Sequence, residues 1–238
     1  MFSAHMSEVG ATSANRLPSK GEVTTVELDR HERLVARRSA EARAIVPQVE
    51  FAVEVDMKAA LGRVRQLGCD HTALLVEAAA QGLRAVRRVN GAYRDGHYEL
   101  YERINVGITF AQEGLYVIPV LFDADTKSVP EISAELEDLE ARAREGGLAP
   151  AELSGATFTL STAPAGSGVA TLTPLIVPPQ AASLAAGPVR EVPVVREGRV
   201  VPGHTMGLTL ACDHRIVYGS HAAAFLAEVR SHLEEGMS

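Results

Sequence analysis

The residues best suited to chemistry lie near the C-terminus, where the alternating run Gly207 to Asp213 leads into Asp213-His214-Arg215-Ile216-Val217-Tyr218-Gly219. A histidine at a strand end beside a glycine turn is carried on rigid scaffold yet faces an opening. Its neutral imidazole is the usual group for taking a proton from a hydroxyl or a thiol. A histidine taken alone is more often an ordinary surface or core residue, and the other seven histidines are read that way. Cys69 and Cys212 stand far apart and outside any metal-ligand spacing, so neither a zinc site nor a disulfide framework is expected.

Something must position that histidine, and 238 residues with 46% hydrophobic content suffice for one sizeable core. The net charge of −7 arises from mixed acidic and basic residues without a long like-charge run, which argues against a nucleic-acid or anionic-membrane surface. No apolar stretch approaches the ~20 residues of a membrane span, and the N-terminus lacks signal-peptide order. A cytoplasmic setting is expected. Residues 1–22, rich in Ser, Gly, Ala and Thr, read as a flexible tail, with a single domain over 23–238.

A short strand over Thr24 to Leu28 reaches Asp29, a helix N-cap, and a helix follows over Arg30 to Arg43. Val49, Phe51, Val53 and Val55 alternate with more polar neighbours as in a half-buried strand. Helices are predicted over Met57 to Gln66, Ala73 to Val86, Ser128 to Glu145 and His221 to Glu234, and a hairpin over Ile104 to Leu121. Further strands are expected at Phe158 to Leu160, Thr171 to Val177, Ala181 to Gly187, Glu191 to Val195, Arg199 to Val201 and His204 to Asp213. The pattern is an α+β fold, a sheet with helices on one face.

From about Val23 onward the chain resembles the catalytic domain of dihydrolipoyl acyltransferases, the acyl-carrying component of 2-oxo acid dehydrogenase complexes, and the related chloramphenicol acetyltransferases. The resemblance rests on the order and spacing of several segments: Arg33-Leu-Val-Ala-Arg-Arg, Val46-Pro-Gln-Val with Glu54-Val-Asp, Asn105-Val-Gly-Ile, Gly114-Leu-Tyr-Val-Ile-Pro-Val, Thr157-Phe-Thr-Leu-Ser, Pro178-Pro-Gln-Ala and Asp213-His-Arg. It implies a chloramphenicol acetyltransferase-like two-layer α/β sandwich with a mixed sheet. It also implies coenzyme A or acetyl-CoA as co-substrate and His214 as the base that deprotonates the attacking group. Ser161 falls at the position of the oxyanion donor, with Thr162 as the neighbouring alternative. Asp213 would brace the loop together with Arg215, and Arg37 or Arg38 is a candidate contact for the CoA phosphates against a solvated helix face. The resemblance further implies a homotrimer with its active site between subunits.

Three departures shape the functional expectation. The family's segment reads Asp-His-Arg-x-x-Asp-Gly, and its second Asp pairs with an arginine of the first helix; here Tyr218 takes that place and Arg33 matches the arginine. No lipoyl domain and no apolar docking tail are visible, so no lipoyl group is expected on this chain, and an isolated trimer of ~76 kDa is expected from three 25.3 kDa chains. On these grounds the expected activity is that of a stand-alone O-acetyltransferase moving a short acyl group to a hydroxyl of a small-molecule acceptor, such as a tetronate in antibiotic biosynthesis, with a carrier protein as a further partner. The alternatives are a catalytic core that acylates dihydrolipoyl groups and a non-catalytic scaffold.

Overall fold

The computed structural model describes residues 24–112, 115–164 and 166–235, so the tail expected over 1–22 lies outside the described residues. The chain divides into two compact units between Arg37 and Arg38. In the first, residues 24–29 take no regular structure where a strand was expected; Val26 is 81% exposed, and an apolar run without a partner strand has no ladder to join. The N-terminus of helix α1 (Arg30–Ile45) is closed by a reciprocal cap. The Glu32 amide donates to Asp29 Oδ1 at 2.7 Å, and the Asp29 amide donates to Glu32 Oε2 at 2.8 Å.

The second unit contains β1 (Gln48–Asp56), α2 (Lys58–Leu67), α3 (His71–Ala85) and the hairpin β2 (Gly91–Arg94) with β3 (His97–Leu100). It continues through β4 (Val106–Ile108), β5 (Phe110–Gln112), β6 (Leu115–Val117) and β7 (Val120–Leu121) to α4 (Val129–Glu145). The last elements are β8 (Phe158–Thr162), β9 (Ala182–Ala186), β10 (Arg190–Arg196), β11 (Arg199–Asp213) and α5 (Gly219–Glu235). The main sheet runs β1-β11-β9-β8-β4-β7, with β10 beside the first part of β11. It is mixed, because β8 is parallel to both β4 and β9 while the other pairs are antiparallel.

Strand alternation divides this sheet into two unlike faces. Ile108, Leu160, Leu184, Leu210 and Phe51 lie abreast across five strands and belong to the large core, together with Leu74, Leu75 and Leu83 of α3 and Phe225 and Val229 of α5. One residue along, the same strands carry Gly107, Thr159, Ser183, Ala211 and Glu50, and beyond these Ser161, Ala185, Thr209 and Ala52. Helices α2 to α5 thus share the apolar face, and the small and polar residues take the other. At Gly82, where α3 and α5 approach, an added Cβ would stand 3.0 Å from the Phe225 ring.

Two strand expectations fail for readable reasons. The segment 171–177 is irregular; Pro174 offers its carbonyl to Gln48 Nε2 at 3.1 Å and cannot donate to a ladder, and Ile176 anchors the segment against Val46 and Ala211. Conversely, Arg199–Asp213 is one strand where two were expected. Pro202 faces Pro193 across the β10–β11 pair, a position where neither strand is asked for an N–H, so the proline does not interrupt the strand.

Candidate active site

Strand β11 delivers its last residue, Asp213, to a tight turn. The His214 amide donates to the Pro47 carbonyl at 3.0 Å, and the amides of Ile216 and Val217 both return to the Asp213 carbonyl. The Asp213 carboxylate is buried and takes Arg215 Nε at 2.8 Å and Nη2 at 2.6 Å; this bonding raises the Arg215 pKa above its ordinary value. The Arg215 guanidinium lies 4.0 Å from the centroid of the Tyr93 ring. Neighbouring Cys212 is fully buried, and burial, aided by Asp213, pushes its thiol up to about 12.

The imidazole of His214 is exposed, and its Nδ1 stands 3.2 Å from the Val217 carbonyl. A carbonyl only accepts, so Nδ1 carries a proton, and in the neutral imidazole Nε2 then keeps the lone pair. That is the form of a proton acceptor. The ring of Tyr218 meets His214 edge-on at 5.8 Å, and its hydroxyl donates to the Arg215 carbonyl at 3.2 Å.

Ser161 is half-buried near the end of β8, and its Oγ is 2.8 Å from Thr109 Oγ1. Both hydroxyls lie on the face opposite the helices. Thr162, the expected alternative to Ser161, alternates to the helix side and so cannot offer its hydroxyl at the same point. Thr109 was missed in the sequence, although it directly follows Asn105-Val-Gly-Ile and alternates onto the face of Gly107.

His214 and Ser161 are not brought together within one chain. Ser161 is level with Ala185 and, through it, with Thr209 of β11. His214 follows five residues later, roughly 17 Å further along the strand, and β8 lies two strands away, roughly 10 Å across. Their backbones are therefore roughly 20 Å apart, well beyond what two side chains can span with a reacting carbonyl between them.

The guanidinium over Tyr218 belongs to Arg88, a residue the sequence did not single out; Ile216, whose carbonyl Arg88 binds, is 128 positions away, so no local pattern could reveal it. Arg33 lies in the first unit, where its Nη1 donates to the Leu28 carbonyl. In that unit Arg30, Arg33, Leu34 and Arg37 line one groove. Arg38 is exposed. Among the described residues no cluster of His, Cys, Asp and Glu could hold a metal, and no helix is long and apolar enough to cross a membrane.

A mixed sheet with helices packed on its apolar face is the fold of chloramphenicol acetyltransferase-like proteins. A chloramphenicol acetyltransferase superposes over 90% of this chain and 99% of its own with a TM-score of 0.52 at 16% identity, a likeness of fold. The catalytic core of the 2-oxoacid dehydrogenase multienzyme complex from Thermoplasma acidophilum is nearer, with a TM-score of 0.79 and 28% identity over 91% of this chain and 100% of that one. The model of the 2-oxoacid dehydrogenases acyltransferase (catalytic domain) family matches residues 20–238, and the chain belongs to that family. In sequence it is 31% identical over 220 residues to the dihydrolipoyllysine-residue acetyltransferase component of the pyruvate dehydrogenase complex of Zymomonas mobilis. The match covers 89% of this chain and 50% of that protein, so the chain spans about half the length of this relative.

These relatives overturn the expectation of a stand-alone O-acetyltransferase of tetronate or antibiotic biosynthesis. The Zymomonas protein is named for a dihydrolipoyl acceptor, which bears thiols and not a hydroxyl. Tyr218, the departure behind that expectation, is engaged by the Arg215 carbonyl of its own loop and by the guanidinium of Arg88. Its presence therefore does not imply a changed acceptor.

Proposed function

We propose that this chain is the catalytic core of a dihydrolipoyl acyltransferase, exchanging an acyl group between the thiol of coenzyme A and that of a dihydrolipoyl group. The observation that carries the reading is the 3.2 Å approach of His214 Nδ1 to the Val217 carbonyl: a proton on Nδ1 is committed there, and Nε2 of the neutral ring is available as the base. In this mechanism Nε2 takes the proton of the attacking thiol, and the sulfur adds to the thioester carbonyl carbon. The electron pair of the C=O bond moves onto oxygen, and the Ser161 hydroxyl donates to that oxyanion. Collapse expels the second sulfur as a thiolate, which recovers the proton from the His214 imidazolium.

The same reading calls for a homotrimer in which His214 of one subunit faces Ser161 of the next. The separation of roughly 20 Å within a chain supports it, because one chain alone offers half a site. Arg37, beside Arg30 and Arg33 on one groove, supplies cations suited to the CoA phosphates, with Arg38 exposed next to it in sequence. Asp213, Arg215 and Tyr218 hold the loop.

Incubation with acetyl-CoA and free dihydrolipoamide tests the proposal. S-acetyl dihydrolipoamide should form together with free CoA in equal amount. An enzyme that leaves dihydrolipoamide unmodified across a panel of acyl-CoA donors would overturn it.

A further inference from the structure

Where the family's segment carries a second carboxylate, this chain has Tyr218, yet the histidine loop is firmly held by a residue from the far side of the sequence. Arg88 sits in the single helical turn Arg87–Val89 that follows α3, and its Nε donates to the Ile216 carbonyl at 2.6 Å. Its guanidinium carbon is 4.2 Å from the centroid of the Tyr98 ring and 5.4 Å from that of Tyr218. Tyr98 projects from β3, so the hairpin, the helical turn and the loop meet at one guanidinium.

This contact bears directly on the base. The peptide between Ile216 and Val217 is tied at both ends, its carbonyl by Arg88 Nε and its N–H by the Asp213 carbonyl at 2.9 Å. The next peptide presents the Val217 carbonyl to His214 Nδ1, and its N–H, on Tyr218, donates to His221 Nδ1 at 3.2 Å. With two successive peptide planes fixed, the carbonyl that selects the His214 tautomer has no freedom to turn away.

We infer that Arg88, flanked by Tyr98 and Tyr218, is a positioning residue for His214. This rests on the reading of His214 as the base. A planar guanidinium can lie against two rings while donating in its own plane, which a lysine ammonium cannot do.

The test compares Arg88→Met, Arg88→Lys and, as a control on the same turn, Arg87→Met, whose wild-type partner is Glu102. All are made in the full chain, with steady-state kinetics and 15N spectra of the histidine side chains. Arg88→Met should lower kcat by about 10- to 30-fold with the KM for acetyl-CoA within about twofold of wild type, the signature of a mispositioned group. The His214 signal, identified by its absence in His214→Ala, should change from a single Nδ1–H tautomer to a mixture. Arg88→Lys should remain at least about fivefold impaired, and Arg87→Met should stay within about twofold. If Arg88→Met folds poorly, Arg88→Lys decides by the same two readouts. Wild-type kcat in either Arg88 variant, or a lowered kcat with an unchanged tautomer, would overturn the inference. Full activity in His214→Ala would instead sink the assignment of the base, while a tautomer change caused by Arg88→Met would still stand.

Discussion

His214 stands on a turn held by residues from distant parts of the chain, Pro47, Ala181 by way of Asp213, and Arg88. Ser161 stands near the end of a ladder, paired in register with Ala185 of β9, while on the other side the Thr109 amide donates to the carbonyl of the preceding Leu160 at 3.0 Å. The proposed base thus depends on several individually modest side-chain and turn contacts, whereas the proposed oxyanion donor depends on a sheet that cannot shift by one residue without turning its whole core face outward. Damage should differ accordingly. Contacts around the histidine can be lost singly with graded loss of rate, while the serine strand should tolerate changes of hydroxyl chemistry but not of register.

The sharpest way to break this contrast is to remove the two proposed reacting groups. His214→Ala should lower kcat by about 10²- to 10⁴-fold, and retention of wild-type kcat would remove the loop from the chemistry. Ser161→Ala should cost about 10²- to 10³-fold in kcat with the fold intact, because the backbone ladder and not the hydroxyl sets the strand. A far-UV spectrum altered in Ser161→Ala would contradict the second half of that statement. A smaller effect probes the hydroxyl pair: Thr109→Val, with its bond to Ser161 removed, should lower kcat by roughly 2- to 10-fold. Added to Ser161→Ala, it should cost nothing more if Thr109 acts through the serine. Equal effects in both backgrounds would give Thr109 an independent role.

Much of the fold was legible because local patterns and tertiary context agree. The alternation of Val49, Phe51, Val53 and Val55 is the half-buried strand β1, and α4 starts after Ser128, whose amide donates to the Glu131 carboxylate at 2.8 Å. The expected hairpin over 104–121 exists, though in two pieces, β4 with β7 and β5 with β6. The irregular segment 171–177 was not legible, since its β-branched residues signal a strand while its actual anchors are Gln48, Glu50 and the small cluster around Ile176. At the proposed site, short motifs pointed to His214 and Ser161. Thr109 needed the parallel pairing of β4 with β8, and Arg88 needed a contact across the whole fold.

The gap of roughly 20 Å between His214 and Ser161 has a consequence for inheritance. In the trimer proposed above, a His214→Ala chain still carries a sound serine, and a Ser161→Ala chain a sound histidine. Two inactive proteins, unfolded together and reassembled in equal amounts, would regain about a quarter of wild-type sites, one for each seam at which a sound histidine meets a sound serine. A chain carrying both defects would instead spoil the two seams it touches, behaving as a dominant poison in a mixed population. On that proposal, activity belongs to the seam between copies and not to any one chain.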